Sequence, residues 1–176
     1  MKSPLTYTIK KVQKENAEQV IRFIQELLKG LFPMMDHDQL PLDILHLNTH
    51  YIDRDDAALF VAMDEAGTAI GTMGYLPYDG RFDQLEHLYK HVQTTELVRC
   101  YIAENYRRMG IGSALYNTAL RSIHNVGYEK VYLHTHSFLP GGLSFWQAKG
   151  FVLRLIEEDS VWQTLHMDKE VKEISY

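Results

Sequence analysis

Cysteine is almost absent from the sequence, in which Cys100 is the single example among 176 residues. One cysteine excludes an intrachain disulfide framework and any zinc site built from several cysteines. Proline is also scarce, with five residues, and no segment rich in proline, glycine and serine divides the chain. Because no linker, repeat or low-complexity tract is visible, the sequence predicts one domain over residues 1–176.

Long apolar runs are also missing. No run approaches the length of a membrane-spanning helix, and the first residues lack the apolar core of a signal peptide. Basic residues do not dominate, because 18 Lys and Arg stand against 23 Asp and Glu, for a net charge of −5. We therefore expect a cytoplasmic protein that binds neither membranes nor nucleic acid. The mild acidity weakly favours a cationic substrate.

Apolar residues make up 45% of the chain, and their spacing predicts alternating strands and helices. Helical spacing is clearest over 111–126, which Gly127 ends, and over 17–31, where Asn16 fits the N-cap and Gly30 the end. The predicted order, β-α-α-β-β-β-α-β-α-β-β, favours a mixed sheet with helices on both faces. The predicted strands are 5–12, 59–63, 69–76, 96–103, 131–135, 151–156 and 161–167, the other helices are 41–51 and 143–149, and a short helix is expected near 83–90.

One stretch carries a chemical signal. The strand that starts at Glu96 leads into a loop with Arg107, Arg108, Gly110 and Gly112, and this loop opens the strongest predicted helix. The first N–H groups of a helix have no intrahelical acceptor, the helix dipole is positive there, and glycine lets an anion approach the backbone. The loop therefore predicts a phosphate or pyrophosphate site. The alternative is a glycine-rich helix start without a ligand.

Two well-known phosphate loops do not fit this stretch. The Gly-Lys-Ser/Thr of a Walker A loop is absent, and a dinucleotide fingerprint would need a third glycine where Leu115 stands. Instead, Arg107-Arg-Met-Gly-Ile-Gly112 resembles the Arg/Gln-x-x-Gly-x-Gly/Ala signature of the GNAT acetyltransferase superfamily. Two later segments are also similar to that family, Phe145-Trp-Gln-Ala-Lys-Gly-Phe151 and Leu165-His-Met-Asp-Lys169. The predicted order of elements resembles the family's order along nearly the whole chain.

The resemblance implies a single α/β domain with a mixed, mostly antiparallel sheet, helices on both faces and two splayed parallel strands, about 96–103 and 130–136. Within it, an acetyl-CoA core spans about 94–168. The pyrophosphate would lie on the loop's N–H groups, and the pantetheine arm would pair with the first splayed strand, whose polar groups need partners. The implied cofactor contacts are Cys100, Tyr101 and Ile102 on the strand, and Arg107, Arg108, Met109, Gly110, Ile111, Gly112 and Ser113 in the loop.

Transfer of an acetyl group to an amine needs a neutral amine and a leaving thiolate. Glu96 lies eleven residues before the first loop arginine, where related enzymes carry a glutamate base, so Glu96 is the candidate base. The alternatives are a surface carboxylate at a strand edge and an ordered water. Trp146 stands where the family usually has the tyrosine that acts as general acid and protonates the leaving thiolate. Indole cannot supply that proton, so Trp146 is expected to pack against the cofactor arm. Either the thiolate leaves unprotonated, or a replacement acid is supplied by Tyr101, His136 or Ser137.

The histidine pair His134 and His136 shares one face of a predicted strand. No third ligand is apparent, so no metal is expected, and the pair is expected to line the cleft beside the acetyl group. Cys100 could also be an ordinary small buried residue. Carboxylates in 30–56 and 77–93, where the family binds its acceptor, could attract an ammonium group or be simply solvated.

The sequence thus predicts an acetyl-CoA-dependent N-acetyltransferase that acts on a primary amine of a small molecule, by direct attack in a ternary complex. Two alternatives remain open, a protein or peptide N-acetyltransferase and a non-catalytic acyl-CoA-binding regulatory module. Because members of the family often dimerise, the resemblance also leaves a homodimer open.

Overall fold

The computed structural model describes residues 4–172. Within this range the strands and helices follow the predicted order, and the short helix expected near 83–90 is present. The strands are β1 (Tyr7–Lys11), β2 (Ala58–Asp64), β3 (Ala69–Pro77), β4 (Thr94–Ile102), β5 (Lys130–His136), β6 (Val152–Ile156) and β7 (Thr164–Glu170). The helices are α1 (Ala17–Leu31), α2 (Leu42–Leu45), α3 (Glu86–Tyr89), α4 (Ile111–Val126) and α5 (Gly142–Ala148).

Helix α1 follows from its apolar spacing, because Val20, Ile24 and Leu28 lie four residues apart on one face and are buried. Asn16 occupies the N-cap position, but its side chain does not cap the helix. Its Oδ1 accepts the N–H of Gln13 at 2.8 Å instead, so the expected side-chain cap is wrong. A side-chain oxygen can satisfy only nearby donors, and here the preceding turn takes it.

The second predicted helix, 41–51, is replaced by a shorter one. Helix α2 spans four residues, and a π-helical turn follows from Asn48 to Ile52. The wider turn brings the side chain of Tyr51 into the interior, where it is 0% exposed and donates to Asp43 at 2.6 Å. A tertiary contact therefore overrides the local preference for a regular helix.

The strands form one seven-stranded sheet in the order β1-β2-β3-β4-β5-β7-β6. The β4–β5 pair is parallel, whereas the β1–β2, β2–β3, β5–β7 and β6–β7 pairs are antiparallel. The predicted α/β fold with a mixed, mostly antiparallel sheet is confirmed. The two predicted hairpins, β2–β3 and β6–β7, are confirmed as well.

The chain forms two compact units, each built from two segments. The first comprises residues up to Leu76 and Val98–Ser122, and the second comprises Pro77–Leu97 and the residues from Ile123 onward. In the first unit, strands β2 and β3 are almost entirely buried. In the second, Leu85, Tyr89 and Tyr132 form a buried hydrophobic cluster. The single domain over 1–176 with its core over 94–168 stays a prediction.

In the described part of the chain, residues 4–172, no helix has both the length and the apolar character that crossing a bilayer requires.

Candidate functional site

Strand β4 carries an unusual backbone conformation at Arg99. This residue has φ 54°, in the left-handed region, which costs a non-glycine residue about 1–3 kcal/mol. Its carbonyl accepts the hydroxyl of Thr72 at 2.8 Å, and Thr72 is 0% exposed. The parallel register with β5 covers three residue pairs, from Thr94↔Lys130 to Glu96↔Tyr132, although β4 continues to Ile102.

The loop before helix α4 has the geometry of an anion site. The first intrahelical bond runs from the Ala114 N–H to the Gly110 carbonyl at 3.0 Å, so the N–H groups before it precede the helical ladder. Arg108 and Gly110 are left-handed, with φ 61° and 83°. Both are exposed, and nothing lies within 4 Å of the Cβ position of Gly110. An alternation of left-handed and right-handed backbone conformations of this kind can turn successive N–H groups toward one anion.

The remaining predicted cofactor residues of the first unit are on strand β4 or in the loop itself. Arg107 Nε donates to the Ile102 carbonyl at 3.3 Å, which ties the loop to the end of β4. The Ala103 N–H donates to the Ile70 carbonyl at 2.9 Å. Cys100 is half-buried, and its thiol contacts the Val98 carbonyl at 3.5 Å. Met109 is 49% exposed, whereas Ile111 is buried under the first turn of α4.

A charged network surrounds the side chain of Arg99. Its Nε and Nη2 donate to the two carboxylate oxygens of Asp43, at 2.9 and 2.5 Å, and Nη1 donates to the Tyr101 hydroxyl at 3.4 Å. Tyr51 also donates to Asp43. The side chains of Arg99 and Asp43 are 18% and 15% exposed. Asp43 therefore belongs to a buried ion pair and is not one of the solvated acids of the 30–56 region.

The pKa values in this network follow from burial and charge. Burial raises the pKa of the Asp43 carboxyl, but the Arg99 guanidinium and the Tyr51 hydroxyl outweigh it, so the pKa lies below its usual value. Burial raises the pKa of Tyr101, and the charge of Arg99 opposes this rise. Burial and the Asp43 carboxylate raise the pKa of Tyr51 well above its usual value.

In the second unit, Glu96 lies in a pair of ionic contacts. It is 4% exposed, so the alternative of a surface carboxylate is wrong. Arg81 Nη1 and Nη2 donate to its two oxygens at 2.8 and 2.7 Å. His134 Nδ1 lies 3.2 Å from Oε1, at an angle that is poor for a hydrogen bond. Burial raises the pKa of Glu96, but the contacts with Arg81 and His134 outweigh burial, so the pKa lies below its usual value. The carboxylate is therefore a weak base by itself.

Three histidines lie near one another in the second unit. The ring of His134 is 5.7 Å from His136 and 6.3 Å from His166, centroid to centroid. His136 Nδ1 is 2.7 Å from the Trp162 carbonyl, which favours the tautomer with a proton on Nδ1, and burial lowers the pKa of this imidazole. Within residues 4–172, no three His, Cys, Asp or Glu side chains are arranged to hold a metal ion.

Trp146 is a core residue of its own unit. Its side chain is 6% exposed, and its ring lies 4.8 Å from Phe145 and 5.4 Å from Phe151. Packing of Trp146 against a cofactor arm stays a prediction. Ser137 hydrogen-bonds to Gln163.

Sequence reasoning missed the partners of the predicted residues. It did not foresee the ion pair between Arg81 and Glu96, fifteen residues apart, or the pair between Arg99 and Asp43, fifty-six residues apart. No local spacing joins such residues, because only the fold brings them together. The alternation of His134 and His136 along a strand indicated that the two side chains share a face. It did not indicate that His134 lies near Glu96.

A sequence model described as the acetyltransferase (GNAT) family matches residues 21–151. No curated protein matched the chain. Among solved structures, the chain is similar to a GNAT-family acetyltransferase from Staphylococcus aureus Mu50, with a TM-score of 0.75 and 18% identity, over 95% of this chain and 100% of that chain.

Two other solved structures have the same fold. One is PaiA N-acetyltransferase from Thermoplasma acidophilum in complex with coenzyme A, with a TM-score of 0.66 and 19% identity, over 94% of this chain and 99% of that chain. The other is ribosomal-protein-alanine N-acetyltransferase from Brucella melitensis, with a TM-score of 0.70 and 18% identity, over 93% and 99%. At these identities the likeness concerns the fold.

Proposed function

Because this chain belongs to the acetyltransferase (GNAT) family, we propose that it transfers the acetyl group of acetyl-CoA to a primary amine of a small molecule, by direct attack in a ternary complex. Membership of the family makes the protein an acyltransferase that uses acetyl-CoA. The choice of a small amine as acceptor is the proposal, and the mild net negative charge of −5 supports a cationic acceptor.

The observation that carries the proposal is the loop from Arg107 to Ser113. Its exposed left-handed Gly110 and the N–H groups that precede the Ala114–Gly110 bond suit a pyrophosphate. Arg107 and Arg108 add positive charge beside these N–H groups. We propose that the pantetheine arm pairs with the backbone of Cys100, Tyr101 and Ile102. The coenzyme A complex of the similar PaiA N-acetyltransferase supports a coenzyme A site in this fold.

For the proton that leaves the amine, we propose that Glu96 acts together with His134. The lowered pKa of Glu96 makes direct proton uptake by its carboxylate unfavourable. The same carboxylate, 3.2 Å from Nδ1, favours the tautomer of His134 that leaves Nε2 unprotonated. Nδ1 is buried, whereas 30% of the side chain is exposed, so the accessible surface lies elsewhere on the ring. Nε2 would take the proton, and Glu96 would stabilise the resulting imidazolium.

The experiment that tests the proposal titrates the purified protein with acetyl-CoA and measures thiol release against a panel of amines. We expect binding, and thiol release with one class of small amine. Binding with release only on peptides would make the protein a peptide N-acetyltransferase. Binding without release on any amine or peptide would favour a non-catalytic acyl-CoA-binding module, and no binding would overturn the loop assignment.

The Gly110→Glu variant tests the loop itself. It places bulk and negative charge where the pyrophosphate would bind, so we expect loss of acetyl-CoA binding by calorimetry. The matched control is Gly67→Glu, because Gly67 has φ 76°, is exposed and also has nothing within 4 Å of its Cβ position. The two variants carry the same backbone strain and the same charge. Equal acetyl-CoA affinities for both would contradict the assignment.

A further inference from the structure

The hydroxyl of Tyr101 has one hydrogen-bond partner in the described part of the chain. Its hydroxyl oxygen accepts Nη1 of Arg99 at 3.4 Å. Among residues 4–172, no acceptor lies within hydrogen-bond distance of the Tyr101 hydroxyl proton. A phenol that accepts from a cation keeps its own proton available for donation to another group. The geometry is therefore that of a proton donor.

Arg99 is itself fixed at both ends. The carboxylate of Asp43 accepts hydrogen bonds from two of its guanidinium nitrogens in a bidentate pair. The hydroxyl of Thr72 donates to the backbone carbonyl of Arg99. Asp43 is in turn held by the hydroxyl of Tyr51, which is 0% exposed. An arginine with this many fixed contacts loses little freedom when it orients a third group. A buried ion pair and a left-handed backbone conformation thus both fix the orientation of the Arg99 side chain.

We propose that Arg99, oriented by Asp43, is a positioning residue that holds Tyr101 as the acid for the leaving thiolate. This inference rests on the proposed function. It identifies a replacement for the tyrosine that the family usually has where Trp146 stands. It also gives a place in the reaction to Arg99, to which the sequence assigned no role, and to Asp43, which the sequence counted only among the carboxylates of the 30–56 region.

The step balances without a further reactant. The amine nitrogen forms a bond to the acetyl carbon, and the bond from that carbon to the coenzyme A sulfur breaks, so the sulfur leaves with the electron pair. The Tyr101 hydroxyl gives its proton to the sulfur. The resulting phenolate faces the Arg99 guanidinium, which stabilises its charge. The proton that His134 takes from the amine passes on to solvent, the phenolate regains a proton from solvent, and the products are the acetylated amine and the free thiol.

A double-mutant cycle tests the inference. We expect Tyr101→Phe to lower kcat about 100-fold, while the acetyl-CoA affinity measured by calorimetry changes less than about twofold. Arg99→Met should lower kcat similarly, but should have no further effect in the Tyr101→Phe background, because Arg99 acts through Tyr101. Arg99→Lys, which keeps the charge, should recover part of the rate. A merely structural role would lower kcat in both backgrounds, and that result would overturn the inference.

A second readout does not depend on turnover. In protein labelled with ¹³C at the tyrosine ring, the signal lost in Tyr101→Phe reports the ionisation of Tyr101. We expect this tyrosine to ionise at a higher pH in Arg99→Met than in the unmodified protein, because the neighbouring cation is gone. The matched control is Arg154→Met, which removes one of the two hydrogen-bond donors to buried Asp168, the other being Tyr89, and should leave both kcat and the Tyr101 signal unchanged. An unchanged Tyr101 titration in Arg99→Met would overturn the inference.

These results separate the inference from the proposed function. If the unmodified protein binds acetyl-CoA and releases the thiol while Tyr101→Phe keeps the full rate, the inference fails and the function stands. If the unmodified protein neither binds nor releases, the proposed function fails, whatever the labelled tyrosine shows.

Discussion

Glu96 has the properties of a fixed anion. Its carboxylate is buried, receives both terminal nitrogens of Arg81 and lies beside His134. A carboxylate in these surroundings holds its charge well and accepts a proton poorly, because the Arg81 guanidinium favours its ionised form. The position of Glu96 relative to the loop predicted a base, whereas its contacts support a role through His134. The choice of Glu96 as a candidate could be made from its place in the chain, but the partners of its carboxylate could not be predicted.

Replacement of Glu96 by glutamine should separate catalysis from binding. We expect turnover at neutral pH to fall about 100-fold, because the amide cannot stabilise a protonated His134, while the acetyl-CoA affinity changes little. His134→Gln should have a similar effect on turnover. The control is Glu86→Gln, because Glu86 is exposed and pairs with the exposed Lys90 at 3.5 Å. A turnover rate that Glu96→Gln leaves unchanged from about pH 6 to about pH 9 would remove Glu96 from the proton path.

At the scale of elements, helix α4 was predicted with its observed bounds, Ile111–Val126, because its apolar stripe and its flanking glycines are local signals. The segment 41–51 was not predicted well, because its π-helical turn depends on the burial of Tyr51 and on the distant Arg99. Strand β3 shows a third case. Gly71 lies in the middle of this strand, where the sequence alone offers no reason for a glycine.

The structure explains Gly71 by close packing and predicts the effect of adding a methyl group. A Cβ at Gly71 would lie 2.9 Å from Ile102 Cδ1 and 3.2 Å from Leu115 Cδ1. We therefore expect Gly71→Ala to lower the free energy of unfolding by about 1 kcal/mol or more. In contrast, Gly30→Ala in α1 meets no atom within 4 Å and should raise it by about 0.5 kcal/mol. Urea denaturation of both variants checks this, and equal signs would contradict the packing argument.

At the scale of the whole molecule, buried titratable groups couple stability to pH. Burial lowers the pKa values of His136 and His166, so these imidazoles bind protons less readily in the folded chain than in the unfolded one. Their contribution to stability is present above the unfolded pKa near 6.5 and is lost as the pH falls. Asp43 and Glu96 also have lowered pKa values, so their contribution is lost at still lower pH, below their ordinary values of 3.8 and 4.5.

The free energy of unfolding should therefore decrease in two stages as the pH is lowered. We expect a first decrease between about pH 7 and about pH 5 from the histidines, and a second below about pH 4.5 from the carboxylates. Chemical denaturation across this range measures both stages. The His166→Gln variant should show a smaller first decrease than the unmodified protein, because it lacks one of the buried imidazoles. A stability that stays constant from pH 7 to pH 5 would contradict this interpretation.

The sequence by itself determined the order of the elements and the family, and it predicted a phosphate loop. These features rest on local patterns: the spacing of apolar residues in α4, the glycines at 110 and 112, and the segment from Phe145 to Phe151. Each of these patterns depends only on residues that are close together in the sequence, so each can be recognised without knowledge of the fold.

The tertiary structure alone decided which charges meet. It paired Glu96 with Arg81 and His134, and Asp43 with Arg99. It also assigned Trp146 to an aromatic core and a left-handed backbone to Arg99. The physical reason is that side-chain charges, burial and backbone strain depend on neighbours far along the chain. The chemistry of these groups follows from their partners, and the fold selects the partners.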